Sequence, residues 1–238
     1  MKILALESSA KAASCAVVGE GIPLALSWQS TGLTHSRTLL PMVQDMLRSS
    51  ELTLSELDAI AVAAGPGSFT GLRIGLATVK GLSWAVEKPC IGVSTLEGMA
   101  HPLSHMNGII VCAMDARRSQ IYNAVFSAEN GVLTRLREDR AISLAEAAED
   151  INTLNEGPIT IVGDGAMLCH QYFTEVGIPC SLAPAHLRQQ SAVGVALAAE
   201  AMGMGFAVSA QELTPVYLRL SQAERERLAR ENTSNQAV

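Results

Sequence analysis

The sequence predicts an α/β protein made of two similar halves, each with a mixed β-sheet flanked by helices. Apolar runs of strand length alternate with longer segments in which apolar residues recur at helical spacing. Three strands joined by tight turns open the chain, and such hairpins make an otherwise parallel sheet mixed. A second strand pair of the same character starts after the Asn107-Gly108 turn. We therefore expect the halves to divide near residues 104–108.

In the first half, short apolar runs that end at turn-forming residues predict four strands, at 2–7, 14–18, 23–29 and 58–64. Apolar residues at helical spacing predict a helix over 35–49, with Thr34 as its N-cap and Pro41 in its first turns. A short helical turn is expected at 54–57. A second helix is expected from the glycine-rich segment that follows the fourth strand to about residue 86.

A strand at 89–93 and a helix at 94–105 complete the first half. The second half repeats this order more weakly, with strands predicted at 109–114, 121–126 and 158–162, and helices at 143–150, 167–176 and 191–204. Ser94 is the expected cap of the helix at 94–105. We divide the chain into a first lobe at 1–106, a second lobe at 107–213 and a C-terminal extension at 214–238. Within the extension, 214–219 is expected to be extended and the charged tail disordered.

Bulk composition limits the classes of function. The chain has 238 residues, 48% of them hydrophobic and 17% charged, with a formal net charge of −6. This composition predicts a well-packed protein, and the absence of a basic patch argues against a lone nucleic-acid-binding protein. No signal peptide or apolar run of membrane-spanning length is evident. Five scattered cysteines predict free core thiols in a reducing compartment, so we expect a cytoplasmic protein.

The most specific segment is Gly-Pro-Gly-Ser-Phe-Thr-Gly-Leu-Arg-Ile-Gly at 65–75, at a strand-to-helix turn. Its structural positions are Gly65, Pro66, Gly67, Ser68, Gly71 and Gly75. The first two glycines permit backbone angles that a Cβ would forbid, and Ser68 is placed to cap the helix. The other two glycines, four residues apart, leave one helix face bare, so that another backbone can approach closely.

Two interpretations of this motif stay open. Glycine turns that open helices often bind phosphate. However, no Gly-Lys-Ser/Thr follows, and the third glycine comes one place too late for Gly-x-Gly-x-x-Gly. We therefore favour tight packing. Elsewhere, the segment Gly163-Asp164-Gly165 is a fair anion loop, whereas Glu7-Ser8-Ser9 lacks the glycines that would curl around phosphate.

Candidate catalytic and metal-binding groups are few. His101 and His105 are four residues apart, a spacing that places two imidazoles on one helix face and suits Zn²⁺ if a third ligand lies near. Pro102 lies between them, so we expect two exposed histidines at a helix end instead. Ser68 has no histidine partner and no Gly-x-Ser-x-Gly context. We expect no catalytic residue and no metal.

The opening strands, the 65–75 motif and Thr-Pro-Val-Tyr-Leu-Arg at 214–219 resemble the bacterial TsaB (YeaZ) family, with matching segments at 3–9, 35–47, 65–75 and 215–219. The resemblance implies two actin-like (ribonuclease H-like) lobes of the Hsp70 and sugar-kinase superfamily. It also implies a non-catalytic paralogue of TsaD, the enzyme that places a threonylcarbamoyl group on N6 of adenosine 37 in tRNAs reading codons that begin with A. Where that catalytic paralogue has two metal-binding histidines, this chain has Thr95 and Met99, which are poor ligands.

The resemblance further implies that the two long helices of the first half pair with the equivalent helices of TsaD, and form a homodimer when TsaD is absent. The residues we assign to this interface are His35, Leu39, Met42, Val43, Met46, Phe69, Leu72, Arg73, Leu76 and Lys80. The apolar stripe of the 35–49 helix is wide enough for two neighbours, although part of it must face its own sheet. The smooth side left by Gly71 and Gly75 is expected to accept another helix.

The expected partners are TsaD, the ATPase TsaE in a ternary complex, and a second copy of the chain, with tRNA contacted only indirectly and no membrane. We expect no cofactor on this chain alone and leave open a nucleotide at the interface of the complex. Three alternatives to a scaffold rank below it: an independent small-molecule kinase or ATPase of the same superfold, a metalloprotease using His101 and His105, and a bare homodimeric module.

Overall fold

The computed structural model describes residues 1–117, 119–154 and 157–219 and has the expected α/β architecture. The first sheet has the order β3-β2-β1-β4-β5, in which β1 is antiparallel to β2 and parallel to β4. Its strands are β1 (Lys2–Glu7), β2 (Ala13–Gly19), β3 (Ile22–Gln29), β4 (Ala59–Gly65) and β5 (Cys90–Ser94). Three helices belong to this half of the chain: α1 (His35–Ser49), α2 (Phe69–Val86) and α3 (Thr95–Ala100).

The second sheet repeats the plan of the first, in the order β10-β9-β6-β7-β8, with β6 antiparallel to β7 and parallel to β9. Its strands are β6 (Gly108–Asp115), β7 (Gln120–Glu129), β8 (Val132–Ser143), β9 (Ile159–Val162) and β10 (Ser181–Leu182). The helices of this half are α4 (Leu144–Asn152), α5 (Ala166–Glu175) and α6 (Ala192–Met202). The prediction of two similar mixed sheets is confirmed.

The helices and sheets form five layers. The outer face of the first sheet packs against α1 and α2, and its inner face packs against α6. The second sheet packs α3 on its inner face and α4 with α5 on its outer face. Because α3 and α6 contact one another, they form the layer between the sheets. The segment around α6, which we assigned to the second lobe, thus packs against the first sheet, and the domain boundaries stay a prediction.

Several elements differ from expectation. The twelve-residue β8 was not predicted, because its run of charged residues hides the alternation of a half-buried strand. Helix α3 ends at Ala100 instead of 105, because Pro102 has no N–H and a 3-10 turn replaces the helix there. Thr34 occupies the N-cap of α1 but its side chain makes no capping bond. No strand is assigned to the described residues 214–219.

Two further predictions concern composition. All five cysteines are free, and four of them are buried, as expected for core thiols. No helix within the described ranges is both long and apolar enough to span a membrane. The prediction of a disordered tail lies at 220–238, outside the described residues.

Candidate functional site

The glycine motif forms the turn from β4 into α2 and packs against the chain's own β1–β2 turn. Ser68 caps α2 as predicted, because its Oγ accepts the N–H of Gly71 at 3.3 Å. A Cβ added at Gly71 would lie 2.1 Å from the Ser8 carbonyl oxygen, and one at Gly67 would lie 2.6 Å from that of Ser9. The Ser8 hydroxyl also donates to the Gly71 carbonyl at 3.0 Å. These glycines are required because two backbones touch.

This packing favours one of the two interpretations of the motif. The N–H of Ser68 donates to the Ser9 carbonyl at 2.7 Å, and the N–H of Gly71 donates to the Ser68 hydroxyl. Two amides of the turn are therefore already bonded within the chain, which supports tight packing. A Cβ at Gly75 would lie 2.5 Å from the Ser8 hydroxyl oxygen. In the monomer, Ser8 therefore fills the bare helix face that we expected to accept a partner's helix.

The segment after α6 returns to the motif and is bonded to it. The N–H of Val216 donates to the Ala64 carbonyl at 2.8 Å. The Tyr217 ring stacks on Phe69 with centroids 4.6 Å apart, and Arg73 Nε donates to the Tyr217 hydroxyl at 3.1 Å. The Arg73 guanidinium also lies 3.9 Å from the centroid of the Phe69 ring. Two of the expected interface residues, Phe69 and Arg73, are therefore engaged by the chain's own C-terminal segment.

A polar cleft of about 720 Å³ lies beside the motif, between the two sheets. Three cationic side chains line it, Lys11, Arg117 and Arg219, together with two carboxylates, Asp115 and Asp164. The Arg219 guanidinium donates to the Ala116 carbonyl after β6, so the C-terminal segment joins the first sheet's motif to the second sheet. The cleft is mixed in charge.

Glu7 is a buried carboxyl at the end of β1, 1% exposed. Burial, opposed by the bond from the Ser9 N–H at 2.5 Å and helped a little by the nearby Asp164 carboxylate, raises the pKa of Glu7 to about 7. Among the described residues, no cation forms an ion pair with it.

The expected anion loop at 163–165 is also occupied by its own chain. The N–H of Gly163 donates to the Arg188 carbonyl at 2.9 Å, and the N–H of Gly165 donates to the Ala113 carbonyl at 3.0 Å. Asp164 accepts from Gln190 Nε2 at 2.9 Å. The two glycines therefore allow a close approach to the second sheet, and their amides do not point freely into the cleft.

The positions compared with metal ligands lie inside the protein. Thr95 and Met99 are 1% and 3% exposed and belong to the layer between the sheets. In the described part of the chain, no three His, Cys, Asp or Glu residues are grouped to hold a metal ion. His101 lies 3.9 Å from Glu97, and because α3 ends before His101, the two histidines do not share a helix face as their spacing suggested.

The predicted interface residues divide into two groups by burial. Contact of the ten residues with a partner stays a prediction, but in the monomer five of them are buried, and all of these except Leu72 belong to the core beneath α1 and α2: Leu39, Val43, Met46, Leu72 and Leu76. The physical reason is that a stripe facing a sheet and a stripe facing a partner have the same helical period. His35, Met42 and Lys80 are partly exposed, and His35 Nε2 lies 2.7 Å from the Ala10 carbonyl.

A different surface is exposed on the same two helices, which we call the outer surface: Leu40, Ala77, Gly81 and Trp84. Leu40 is 41% exposed and Trp84 is 68% exposed. A Cβ added at Gly81 would meet nothing within 4 Å, so the chain's own packing does not require glycine there. Sequence reasoning missed these residues, although the spacing of 77, 81 and 84 places them on one helix face.

A family model and two relatives with related descriptions match this chain over most of its length. Residues 29–225 match the family model described as TsaD: tRNA N6-adenosine threonylcarbamoyltransferase. The chain is 30% identical over 228 residues to the tRNA threonylcarbamoyladenosine biosynthesis protein TsaB of Bacillus subtilis, covering 94% of this chain and 96% of that protein. It is 31% identical to the protein of the same description from Escherichia coli, covering 92% and 95%.

Among solved structures, a Pseudomonas aeruginosa protein described as having similarity to peptidase YEAZ matches with a TM-score of 0.74 and 28% identity. The match covers 92% of this chain and 99% of that chain. The similarity in sequence and in structure therefore extends over nearly the whole length of each.

Proposed function

We propose that this chain, which belongs to the TsaB family of tRNA threonylcarbamoyladenosine biosynthesis proteins, is a non-catalytic scaffold that activates TsaD. In this proposal TsaD performs the transfer of the threonylcarbamoyl group to adenosine 37. The chain binds TsaD as a heterodimer in the cytoplasm, and TsaE joins it in a ternary complex. Docking raises activity by favouring the competent conformation of TsaD or by completing a composite site at the interface.

The observation that carries the proposal is the outer surface of α1 and α2. On α2 an exposed tryptophan shares one helix face with an alanine and with a glycine that the monomer's own packing does not require, and α1 exposes a leucine. Small residues let a helix backbone approach closely, and an exposed tryptophan is typical of an interface centre. We propose that two helices of TsaD pack here. When TsaD is absent, a second copy of the chain uses the same surface.

The absence of catalysis by this chain rests on the positions that would hold a metal. Thr95 and Met99 are buried and supply no imidazole. The net charge of −6 favours indirect contact with tRNA, through the partner. Because amides of both glycine turns, at 68, 71, 163 and 165, donate within the chain, we propose no nucleotide on the isolated chain and place any nucleotide at the interface of the complex.

The test introduces a charge into the outer surface. Leu40→Arg and Gly81→Arg are expected to weaken binding to TsaD by about 30-fold or more, because a charge would be buried without a partner. Leu168→Arg on α5 is the matched control, since Leu168 is 42% exposed and Leu40 is 41% exposed. Leu39→Arg is unsuitable, because Leu39 is fully buried and its replacement would unfold the monomer. Calorimetric titration with TsaD measures the affinity.

Two outcomes would contradict the proposal. Unchanged affinity in both outer-surface variants, each still folded by circular dichroism, would place the contact elsewhere. Modified adenosine formed by the purified chain with tRNA and threonylcarbamoyl-adenylate, without TsaD, would show that the chain is itself the catalyst.

A further inference from the structure

The chain passes between the two sheets at two crossings, and both lead into the layer formed by α3 and α6. The first crossing runs from Ser94, at the end of β5, into α3, and the second runs from Gln190 into α6. Ser94 Oγ donates to Asp139 of β8 at 2.5 Å, and Gln190 Nε2 donates to Asp164 after β9 at 2.9 Å. Each crossing is therefore tied to the second sheet by a side-chain bond.

The two helices of this middle layer meet backbone to backbone. A Cβ added at Gly194 of α6 would clash with the Gly98 carbonyl of α3. Side chains therefore do not interlock at this contact, and the two crossings lie in the same layer. Such an arrangement is a hinge between two packed units unless a contact elsewhere fixes the angle between them.

The C-terminal segment at 208–219 is held along the first sheet. The N–H groups of Cys90 and Val208 each donate to the other's carbonyl at 2.8 Å. Leu213 is buried in the core beneath α1 and α2, and the N–H of Val216 donates to the Ala64 carbonyl at 2.8 Å. The segment is thus fixed to one side of the cleft before it reaches its last described residue.

That last residue, Arg219, reaches the second sheet. Its guanidinium donates to the carbonyl of Ala116, in the turn between β6 and β7. The residues at 216–219 line the cleft of about 720 Å³, and so does Ala116. The Arg219 bond therefore crosses the cleft, and it is made by a segment that belongs to neither crossing of the chain.

We propose that residues 214–219 are a clamp that fixes the angle between the two sheets across the cleft. Val216 and Tyr217 anchor the clamp on the first sheet, and Arg219 closes it on the second. A bond from a charged donor is stronger than one between neutral groups, and water has little access to Ala116, which is 8% exposed. Loss of this bond should therefore raise the population with an opened cleft about tenfold. The clamp does not use the outer surface and does not depend on the proposed function.

The test measures the distance between two spin labels at the cleft end of each sheet. Ser36 is exposed at the start of α1, beside His35, which contacts the carbonyl of Ala10 in the β1–β2 turn. Ala145 is exposed at the start of α4, just after the end of β8 that pairs with the start of β7. The labels are attached to Ser36→Cys and Ala145→Cys, in the full chain with the half-buried Cys180 replaced by serine. Double electron–electron resonance gives the distance distribution, and dilution with unlabelled protein removes distances between copies.

The parent protein should show one dominant short distance. Arg219→Gln should increase the longer-distance component about tenfold, with the fold confirmed by circular dichroism. The matched control is Arg117→Gln, since Arg117 also lines the cleft, and it should leave the distribution unchanged. An equal lengthening in this control would show that the charge of the cleft, and not the Arg219 bond, sets the angle, and would overturn the proposal.

Hydrogen exchange separates a clamp from a segment that merely lies on the first sheet. Amide exchange at Val216, measured by mass spectrometry, should become faster in Arg219→Gln together with the change in distance. Faster exchange at Val216 with unchanged distances would mean that the segment holds only the first sheet. Unchanged distances in Arg219→Gln overturn the proposal whatever the exchange at Val216, as does a parent protein in which the longer distance already dominates.

Discussion

Replacing glycine by alanine at two positions of α2 should have opposite effects on stability. At Gly71 the new Cβ would lie 2.1 Å from the Ser8 carbonyl oxygen, so the backbone there must withdraw by about 0.9 Å to reach 3.0 Å. Overpacking of this kind costs about 1–3 kcal/mol. Disturbing the bond from the Ser8 hydroxyl to the Gly71 carbonyl costs roughly another 1 kcal/mol. The higher helix propensity of alanine offsets at most about 1 kcal/mol of this cost, so we expect the free energy of unfolding to fall by about 1–3 kcal/mol.

Gly81→Ala is the matched control on the same helix. Its Cβ would meet nothing within 4 Å, so the gain in helix propensity of about 0.5–1 kcal/mol is unopposed and the variant should be stabilised. Urea denaturation followed by circular dichroism measures both, with the slopes compared to confirm that the same transition is observed. If Gly71→Ala is as stable as the parent protein, the motif glycines do not serve close packing, and a ligand-binding role for them reopens.

Three further predictions concern single side chains. Between pH 4.5 and about 7, the Glu7 carboxyl is ionised in the unfolded chain but still protonated in the folded protein. The free energy of unfolding therefore falls as the pH rises through this window. Glu7→Gln should remove that fall, roughly 2–3 kcal/mol, in urea titrations at pH 5 and pH 8. Tyr217→Ala should cost about 1 kcal/mol of stacking on Phe69 and speed amide exchange at Val216, measured by mass spectrometry. Arg135→Met should lower the free energy of unfolding by about 2 kcal/mol in urea denaturation, because it leaves the partly buried carboxylates of Glu97 and Asp139 without their cation. The loss should be smaller in a variant in which both carboxylates are replaced by amides.

Local signals predicted most of the secondary structure. The five strands and two long helices of the first half lie within about a residue of expectation, because each has a clear period and a punctuating turn or cap. Ser68 and Ser94 cap their helices as predicted. The strand β8 was not predicted because its charged residues are held by ion pairs, and such pairing has no signature in local hydropathy. Arg135 pairs with Glu97 and Asp139, and the arginines at 137 and 140 pair with Asp150.

The site was predictable only in part, because its contacts join distant segments. The position of the 65–75 motif and its role in close packing follow from the sequence. Which segments of the same chain pack against it does not. Tyr217 contacts Phe69 and Arg73 across more than a hundred residues of chain. Burial of Leu39 and exposure of Leu40 are equally hidden, since adjacent apolar residues on a helix give no sign of which one faces the sheet.

The glycines of the 65–75 motif and Gly81, farther along the same helix, play different physical roles. Gly67 and Gly71 are demanded by contacts inside the monomer, so their presence is fully explained without any partner. Gly81 has open space around it, and a glycine in the middle of a helix costs stability that alanine would recover. A glycine that lowers the stability of the isolated chain and serves no contact within it is a better guide to association than a glycine that the chain's own packing requires. By that criterion the outer surface around Gly81 and Trp84, and not the 65–75 turn, is where a partner should be sought.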